Sequence, residues 1–301
     1  MRVFYTDHFA VPLPPGHRFP MHKYAALRRK LIDEHVLAED ELVAAKAAPL
    51  EAVFAVHDAN YVRGYLDGSL DPKALARIGF PWSPAMVART LGSAGGTLLA
   101  AEAALELGFS GVLAGGTHHA YRAEGSGFCV FNDIAIAAVA LLSRGATSRV
   151  LVVDLDVHQG DGTASIFQSD ERVFTFSMHG ERNFPARKQT SDLDVPLRDQ
   201  TGDDEFLALL DLHMAQAYER SRPDFVFYQG GVDPLVHDKL GRLALTHAGL
   251  AERDRRVFRA ARERNLPLVA TLGGGYSDPI EPTLQAHANT YRVAREVFEP
   301  R

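Results

Sequence analysis

The sequence contains little cysteine and no long uncharged apolar run, and each absence excludes a class of protein. Cys129 is the single cysteine among 301 residues, which excludes an internal disulfide and a thiolate metal cluster. No window approaches the roughly 18 uncharged apolar residues that a membrane span requires. Residues 1–6 have the pattern of a strand and lack the apolar core of a signal peptide. We therefore expect a cytoplasmic protein without a membrane span.

The chain also lacks an excess of basic residues. Its 32 basic and 38 acidic residues give a formal net charge of −6, which argues against bulk electrostatic attraction to nucleic acid or to an anionic membrane. The hydrophobic fraction of 46% and the charged fraction of 23% are typical of a globular protein. Because no repeat, low-complexity tract or Ser/Gly linker is present, we expect residues 1–301 to form one domain.

Apolar, β-branched runs alternate with helical patterns along the chain. This alternation predicts an α/β fold with a parallel sheet covered by helices on both faces. Three glycines, Gly92, Gly95 and Gly96, weaken the helix prediction around them. The predicted strands are residues 2–5, 111–114, 150–153, 172–177, 225–229 and 268–272, and the predicted helices are 23–35, 84–107, 133–143, 203–220, 246–264 and 281–298.

Polar, glycine-rich segments follow five of the predicted strands. In open parallel sheets ligands bind beyond the carboxyl ends of the strands, so these segments are expected to meet on one rim. Each segment alone is compatible with an ordinary turn, but five on one rim favour a functional site. The segments are residues 115–119, 154–163, 177–180, 229–234 and 272–276.

One of these segments has the residue types of a catalytic metal site. Asp156 and His158 lie two residues apart after a buried strand, so in extended chain their side chains point the same way. Asp233 is the natural third ligand, because Gly230-Gly231 before it allow close backbone approach, although an Asp-Pro turn is the alternative. Two carboxylates and an imidazole suit zinc, and also iron(II) or cobalt(II).

The remaining candidates have the chemistry of proton transfer and oxyanion binding. His118 and His119 form an adjacent pair suited to general base catalysis, the alternative being one structural and one exposed histidine. Asp154 and Asp161 can orient the two imidazoles by accepting N–H bonds. Tyr276 can donate a hydrogen bond to an oxyanion, or can simply pack on the glycine turn.

Together these motifs resemble the zinc-dependent histone deacetylase superfamily. The resemblance is greatest to its class IV branch and bacterial relatives, and it covers nearly the whole chain. It is carried by residues 115–120, 125–133, 154–163, 177–180 with 183–185, and 231–235.

The resemblance implies an arginase/deacetylase fold and a role for each matching residue. It assigns zinc to Asp156, His158 and Asp233. It makes His119 the general base and then acid, with His118 as its electrostatic partner, and it pairs His118 with Asp154 and His119 with Asp161. Tyr276 would polarise the scissile carbonyl, and its presence favours real activity.

The resemblance further implies a structural potassium ion and an acyl-lysine tunnel. The potassium ligands would be main-chain oxygens of Asp154, Asp156, His158 and Met178 with the Ser177 hydroxyl. The tunnel walls would include Gly127, Phe128, Phe184 and Gly274. Asp133 is interpreted as a helix N-terminal residue rather than a ligand. Residues 11–20 and 78–84 are predicted loops that shape the entrance.

We therefore expect a metal-dependent amidohydrolase that removes acetyl or longer acyl groups from lysine side chains. Acylated polyamines or other small amides are alternative substrates, and a non-enzymatic acyl-lysine binding protein is an alternative function. A two-metal, arginase-like hydrolase would need acids where Gly160 and Leu235 stand, so one catalytic metal is favoured. The sequence does not indicate an oligomeric state.

Overall fold

The computed structural model describes residues 1–299, which form an eight-stranded sheet in the order β2-β1-β3-β8-β7-β4-β5-β6. Every pair of neighbouring strands in this described part of the chain is parallel. The strands are β1 (Arg2–Tyr5), β2 (Leu42–Ala44), β3 (Phe109–Val112), β4 (Val150–Asp154), β5 (Val173–Gly180), β6 (Leu193–Leu197), β7 (Phe225–Gln229) and β8 (Leu268–Thr271).

The central strands form because their side chains are apolar on both faces of the sheet. Every residue of β3, β4, β7 and β8 is buried. Two hydrophobic clusters cover the faces, one containing Val152 and Phe227 and the other containing Leu151 and Val226. Alternate residues of a strand thus pack into opposite layers, as a doubly covered sheet requires. The predicted parallel sheet with helices on both faces is confirmed.

Ten α-helices lie within the described residues. Six correspond to predicted helices and four short ones, α2, α3, α4 and α7, were not predicted. They are α1 (Lys23–Asp33), α2 (Leu50–Phe54), α3 (Ala59–Asp67), α4 (Pro72–Ile78), α5 (Pro84–Leu107), α6 (Asp133–Ser143), α7 (Asp161–Phe167), α8 (Asp203–Ser221), α9 (His247–Glu263) and α10 (Glu281–Phe298). None of them combines the length and apolar composition needed to cross a membrane.

Helix α5 runs without interruption through the glycines that weakened its prediction. A Cβ at Gly95 would overlap the backbone of Lys46 and Ala48, and one at Gly92 would overlap the Phe9 ring. Ala48 N–H donates to the helical carbonyl of Leu91 at 2.8 Å, so the chain crosses the helix in direct backbone contact. These glycines therefore permit close packing and do not end the helix.

Candidate active site

The functional candidates converge at the carboxyl ends of β3, β4, β7 and β8. These four strands are adjacent in the sheet, and the loop after each one starts at the same rim. Asp154 closes β4 and is paired in register with Ser177 of β5 and Gln229 of β7. Four of the five predicted segments therefore leave the sheet at this rim, whereas residues 177–180, predicted to follow their strand, form the last four residues of β5 beside the end of β4.

Asp156, His158 and Asp233 form a buried cluster with the composition of a metal site. One ligand atom from each lies within 4.8 Å of the others. His158 Nδ1 is 2.9 Å from Asp156 Oδ1 and 3.1 Å from Asp233 Oδ2. Asp233 Oδ2 is buried, and its close neighbour His158 Nδ1 is not aligned to donate to it, so it receives no hydrogen bond of good geometry from residues 1–299. A buried carboxylate oxygen without a donor is costly, and a metal cation at this point would satisfy it.

The protein backbone fixes the two carboxylates of this cluster. Val157 N–H donates to Asp233 Oδ1 at 2.9 Å, and Gly274 N–H donates to Asp156 Oδ2 at 2.8 Å. A Cβ at Gly231 would overlap Asp156 Oδ2, and one at Gly274 would overlap Asp233 Oδ2. Glycine is therefore needed on both sides of the acids, and the carboxylates are held before any ligand arrives.

The ionisation of the cluster also indicates a site for a cation. Burial alone would lower the pKa of His158, but its hydrogen bond to Asp156 and the negative charges of Asp156 and Asp233 raise it to about 10. Burial and the neighbouring charge of Asp156 raise the pKa of Asp233 to about 7. The two carboxylates therefore favour a positive charge at this position. Either a proton on His158 or a bound metal ion can supply that charge.

His118 and His119 each form a buried pair with a carboxylate, and the two pairs ionise differently. His118 Nδ1 lies 2.7 Å from Asp154 Oδ2, and His119 Nδ1 lies 2.6 Å from Asp161 Oδ1. Burial opposes the charged form of His118, but the charges of Asp154 and Asp156 raise its pKa to about 9. Burial and the positive charge of His118 lower the pKa of His119 to about 4. One imidazole is therefore cationic at neutral pH and the other is neutral.

Tyr276 lies beside this cluster in the wall of a cavity of about 770 Å³. Burial, followed by the charges of Asp233 and Asp156, raises the pKa of its phenol well above the usual value, so the hydroxyl keeps its proton. Its backbone N–H donates to Asp238 Oδ2 at 2.6 Å. The phenol is therefore available as a hydrogen-bond donor at neutral pH.

The four residues predicted to line a tunnel all line this cavity. Gly127, Phe128, Phe184 and Gly274 stand in its wall together with His119 and His158. The Phe184 ring lies edge-on to His119, with ring centroids 4.8 Å apart, and it is 44% exposed. Gly127 has φ +54° and a Cβ there would approach the His119 ring to 2.8 Å. An aromatic ring and a bare backbone thus face each other above the histidines.

The two predicted entrance loops meet at the mouth of the cavity. Residues 16–19 and Gly79 line it, while Ile78 and Pro84 belong to helices α4 and α5. His17 Nε2 lies 2.9 Å from the Gly79 carbonyl oxygen and joins the two segments. The Phe19 ring packs against Phe80 and Phe128.

Of the residues matched to a potassium site, Asp154 ends β4, Asp156 and His158 lie in the loop after it, and Ser177 and Met178 lie within β5. Ser177 Oγ is 3.0 Å from His179 Nδ1, and both groups are buried. Asp133 is the first residue of α6, and its carboxylate accepts hydrogen bonds from the backbone of Gly116 and Thr117. It therefore anchors the loop that carries the two histidines, and it lies outside the metal cluster.

Some contacts to the site have no signal in a local motif. Tyr121 Oη donates to the second oxygen of Asp161 at 2.8 Å. Lys23 is fully buried and contacts the carbonyls of Gly273 and Gly275 at 3.3 and 3.4 Å. None of these three contacts can be inferred from sequence, because the partners come from distant parts of the chain.

Comparison with solved structures defines the fold. A crystal structure described as an HDAC homolog complexed with SAHA superposes with a TM-score of 0.85 at 26% identity, covering 100% of this chain and 84% of the other. The HDA15 HD domain has a similar fold, with a TM-score of 0.81 at 19% identity, covering 100% and 91%. The predicted arginase/deacetylase fold is confirmed.

Comparison of sequences defines the family. Residues 17–291 match the Histone deacetylase domain, and the chain belongs to the histone deacetylase family. It is 33% identical to Histone deacetylase 2 of Arabidopsis thaliana over 86% of this chain and 70% of that protein. It is 31% identical to a probable deacetylase of Archaeoglobus fulgidus over 91% and 80%. An uncharacterised Picosynechococcus protein is 45% identical over 98% and 99%. This membership supports a hydrolase with deacetylase activity.

Proposed function

We propose that the chain is a zinc-dependent lysine deacylase, with residues 1–301 acting as one catalytic domain. The observation that carries the proposal is one cavity lined by Asp156, His158, His118, His119 and Tyr276, with Asp233, Asp154 and Asp161 completing the metal-type cluster and the two histidine–aspartate pairs behind them. The substrate would be an acyl-lysine side chain of a protein or peptide. A cytoplasmic location is kept as a prediction from the sequence.

Asp156, His158 and Asp233 would hold the catalytic metal, and zinc suits two carboxylates and an imidazole. When bound, the metal would polarise the acyl oxygen and lower the pKa of a water molecule to roughly 7. Iron(II) and cobalt(II) accept the same donor set. The proposal includes the potassium site at Asp154, Asp156, His158, Ser177 and Met178, for which the family resemblance is the support.

His119 would be the general base. Its Nδ1 is bound to Asp161, which leaves Nε2 free to take a proton from the attacking water and to return it to the leaving lysine amine. His118, held by Asp154, would stabilise negative charge in the transition state. Tyr276 would donate a hydrogen bond from its hydroxyl to the oxyanion that develops on the acyl oxygen when water adds to the acyl carbon.

The cavity wall would orient the substrate. Phe128 and Phe184 present aromatic surface that suits the apolar four-carbon stem of lysine, and Gly127 leaves room for it. Water would be displaced from the stem by these side chains, so that the amide is delivered to His119 and Tyr276 in one orientation.

A panel of acyl-lysine peptides and acylated polyamines tests the function. The protein is stripped with a chelator and reloaded with Zn²⁺, Fe²⁺ or Co²⁺, and the release of free amine is measured. We expect hydrolysis of acyl-lysine that the chelator abolishes and one metal per chain restores. Turnover confined to polyamines would reassign the substrate, and two metals per chain would contradict the single-metal site.

Two variants test the assigned roles. We expect His119→Ala to lower kcat about 10²- to 10⁴-fold and Tyr276→Phe about 10²- to 10³-fold, with metal content unchanged. Tyr218→Phe is the matched control, because the buried Tyr218 hydroxyl has no hydrogen-bond partner among residues 1–299. Near wild-type kcat in either active-site variant would refute its role.

A further inference from the structure

A buried arginine that does not line the cavity contacts the loops of the metal-type cluster. Arg253 belongs to α9 and its side chain is 0% exposed. Its Nη1 donates to the carbonyls of Gly231 at 2.6 Å and Leu155 at 3.3 Å, and Nη2 approaches the carbonyl of Gly230 at 3.4 Å. Its Nε and Nη2 donate to Asp254 Oδ1 at 3.0 and 2.8 Å.

These carbonyls belong to the two loops that carry the metal-type ligands. Leu155 directly precedes Asp156 in the loop after β4, and Gly231 stands two residues before Asp233 in the loop after β7. A single guanidinium nitrogen therefore joins both loops. The contact also reaches the ligand side chain, because Gly231 packs so closely under Asp156 that a Cβ there would overlap its carboxylate.

Asp254 fixes the orientation of the guanidinium. Besides Arg253, it accepts hydrogen bonds from Tyr228 Oη of β7 at 2.5 Å and from Thr290 Oγ1 of α10 at 2.6 Å. The charge of Arg253 is thus balanced by the next residue of α9. The Arg253–Asp254 pair is in turn held to β7 and α10 through the Asp254 carboxylate. The planar fork of an arginine can reach several carbonyls at fixed angles, which a lysine ammonium cannot do.

We propose that Arg253 is a positioning residue that clamps the loops after β4 and β7 and so sets the separation of Asp156 and Asp233. The proposal rests on the proposed function and extends it, since none of the site residues inferred from the sequence lies on α9. Removing a group that orients a metal ligand from outside the metal's own ligand set typically lowers metal affinity 10- to 100-fold. The clamp would act through backbone carbonyls, with no contact to substrate.

The experiment separates positioning from simple stabilisation of the fold. Arg253→Met alone leaves the Asp254 carboxylate buried and unpaired, which destabilises the protein. The double variant Arg253→Met/Asp254→Asn removes both charges and should recover most of that stability. Arg253→Lys keeps the positive charge but lacks the planar guanidinium group. Arg255→Met is the matched control on the same helix, where Arg255 makes surface pairs with Glu252 and Glu296.

The readouts are the melting temperature of the metal-free protein, zinc affinity by competition with a fluorescent chelator, and the visible spectrum of the cobalt-loaded protein. We expect the double variant and Arg253→Lys to bind zinc about 10- to 100-fold more weakly than wild type and to show an altered cobalt spectrum. The control variant should bind zinc as wild type does.

Two results would overturn the clamp. One is wild-type zinc affinity in the folded double variant, and the other is full rescue of affinity by Arg253→Lys. A wild-type protein that binds no zinc would instead refute the proposed metal site itself and, with it, the clamp. The two failures are thus distinguished by the wild-type titration alone.

Discussion

His57 shows how a single buried residue supports the histidine loop. Its Nδ1–H donates to the Tyr121 carbonyl at 2.8 Å, and its Nε2 accepts from Asn132 N–H at 2.9 Å. Tyr121 follows the His118–His119 pair and Asn132 caps α6, so the imidazole joins two segments of the site. Both ring nitrogens are satisfied only in the neutral form, and burial lowers the pKa of His57 to about 4.

This residue makes stability dependent on pH. In the unfolded chain His57 titrates near the ordinary histidine pKa of 6.5. Between pH 6.5 and about pH 4 the unfolded state therefore binds a proton that the folded state does not bind. Its contribution is complete above pH 6.5 and is lost as the pH falls toward 4, by on the order of 3 kcal/mol. Urea unfolding of wild type and His57→Gln between pH 7.5 and 4.5 measures it. Equal pH slopes in the two proteins would rule out His57 as the cause.

At the scale of elements, α5 lies against the chain segment that follows β2. Gly95 allows the carbonyl of Lys46 and the amide of Ala48 to approach the helix backbone directly. This packing brings the edge of the sheet and the longest helix into contact without intervening side chains.

The substitution Gly95→Ala should therefore destabilise the protein, although alanine has a higher helix propensity than glycine. In an open helix Gly→Ala stabilises by roughly 0.5–1 kcal/mol, but here the overlap with backbone should destabilise by about 1–3 kcal/mol. Gly202→Ala is the control, because its Cβ would meet nothing closer than the Ala244 carbonyl at 4.0 Å. Chemical denaturation of both variants checks the difference, and a stabilised Gly95→Ala protein would contradict the packing argument.

The elements that the sequence predicted well are those buried on both faces. Continuous apolar runs identified β4, β7 and β8, while β3 begins and ends two residues before its predicted range because Leu113 and Ala114 are apolar but lie beyond the strand. The edge strands β2 and β6 were missed. β2 has three residues, and β6 is interrupted by Asp194 and Pro196, which an edge strand tolerates.

At the scale of the whole molecule, the loops after β4 and β7 must come together before the proposed metal can bind, because Asp156 and His158 lie on one loop and Asp233 on the other. The unfolded chain lacks this arrangement, so metal binding and folding are thermodynamically linked. The residues of the cluster were identified from sequence because a strand and its motif are adjacent in the chain. Arg253 and Tyr121 were not, because their partners are brought to them only by the packing of helices and loops.

Zinc should therefore stabilise the whole protein. At free zinc of about 100 times Kd the expected gain is about 2.7 kcal/mol, or a rise in melting temperature of about 5 °C. Asp233→Asn should abolish the rise, whereas the exposed substitution Asp204→Asn should preserve it. Differential scanning calorimetry with chelator and with zinc measures the effect. An equal rise in Asp233→Asn would show that the stabilising zinc binds elsewhere.

The bond from His17 to the Gly79 carbonyl has a consequence for anyone who alters the specificity of this protein. The two entrance segments are distant in sequence but share this bond and a common aromatic cluster of Phe19, Phe80 and Phe128. If only one entrance segment were replaced by that of a relative, it would lack the partner segment against which it normally packs. Mutant libraries and chimaeras should therefore exchange both segments together, because the two segments pack against each other as one unit although they are separate in sequence.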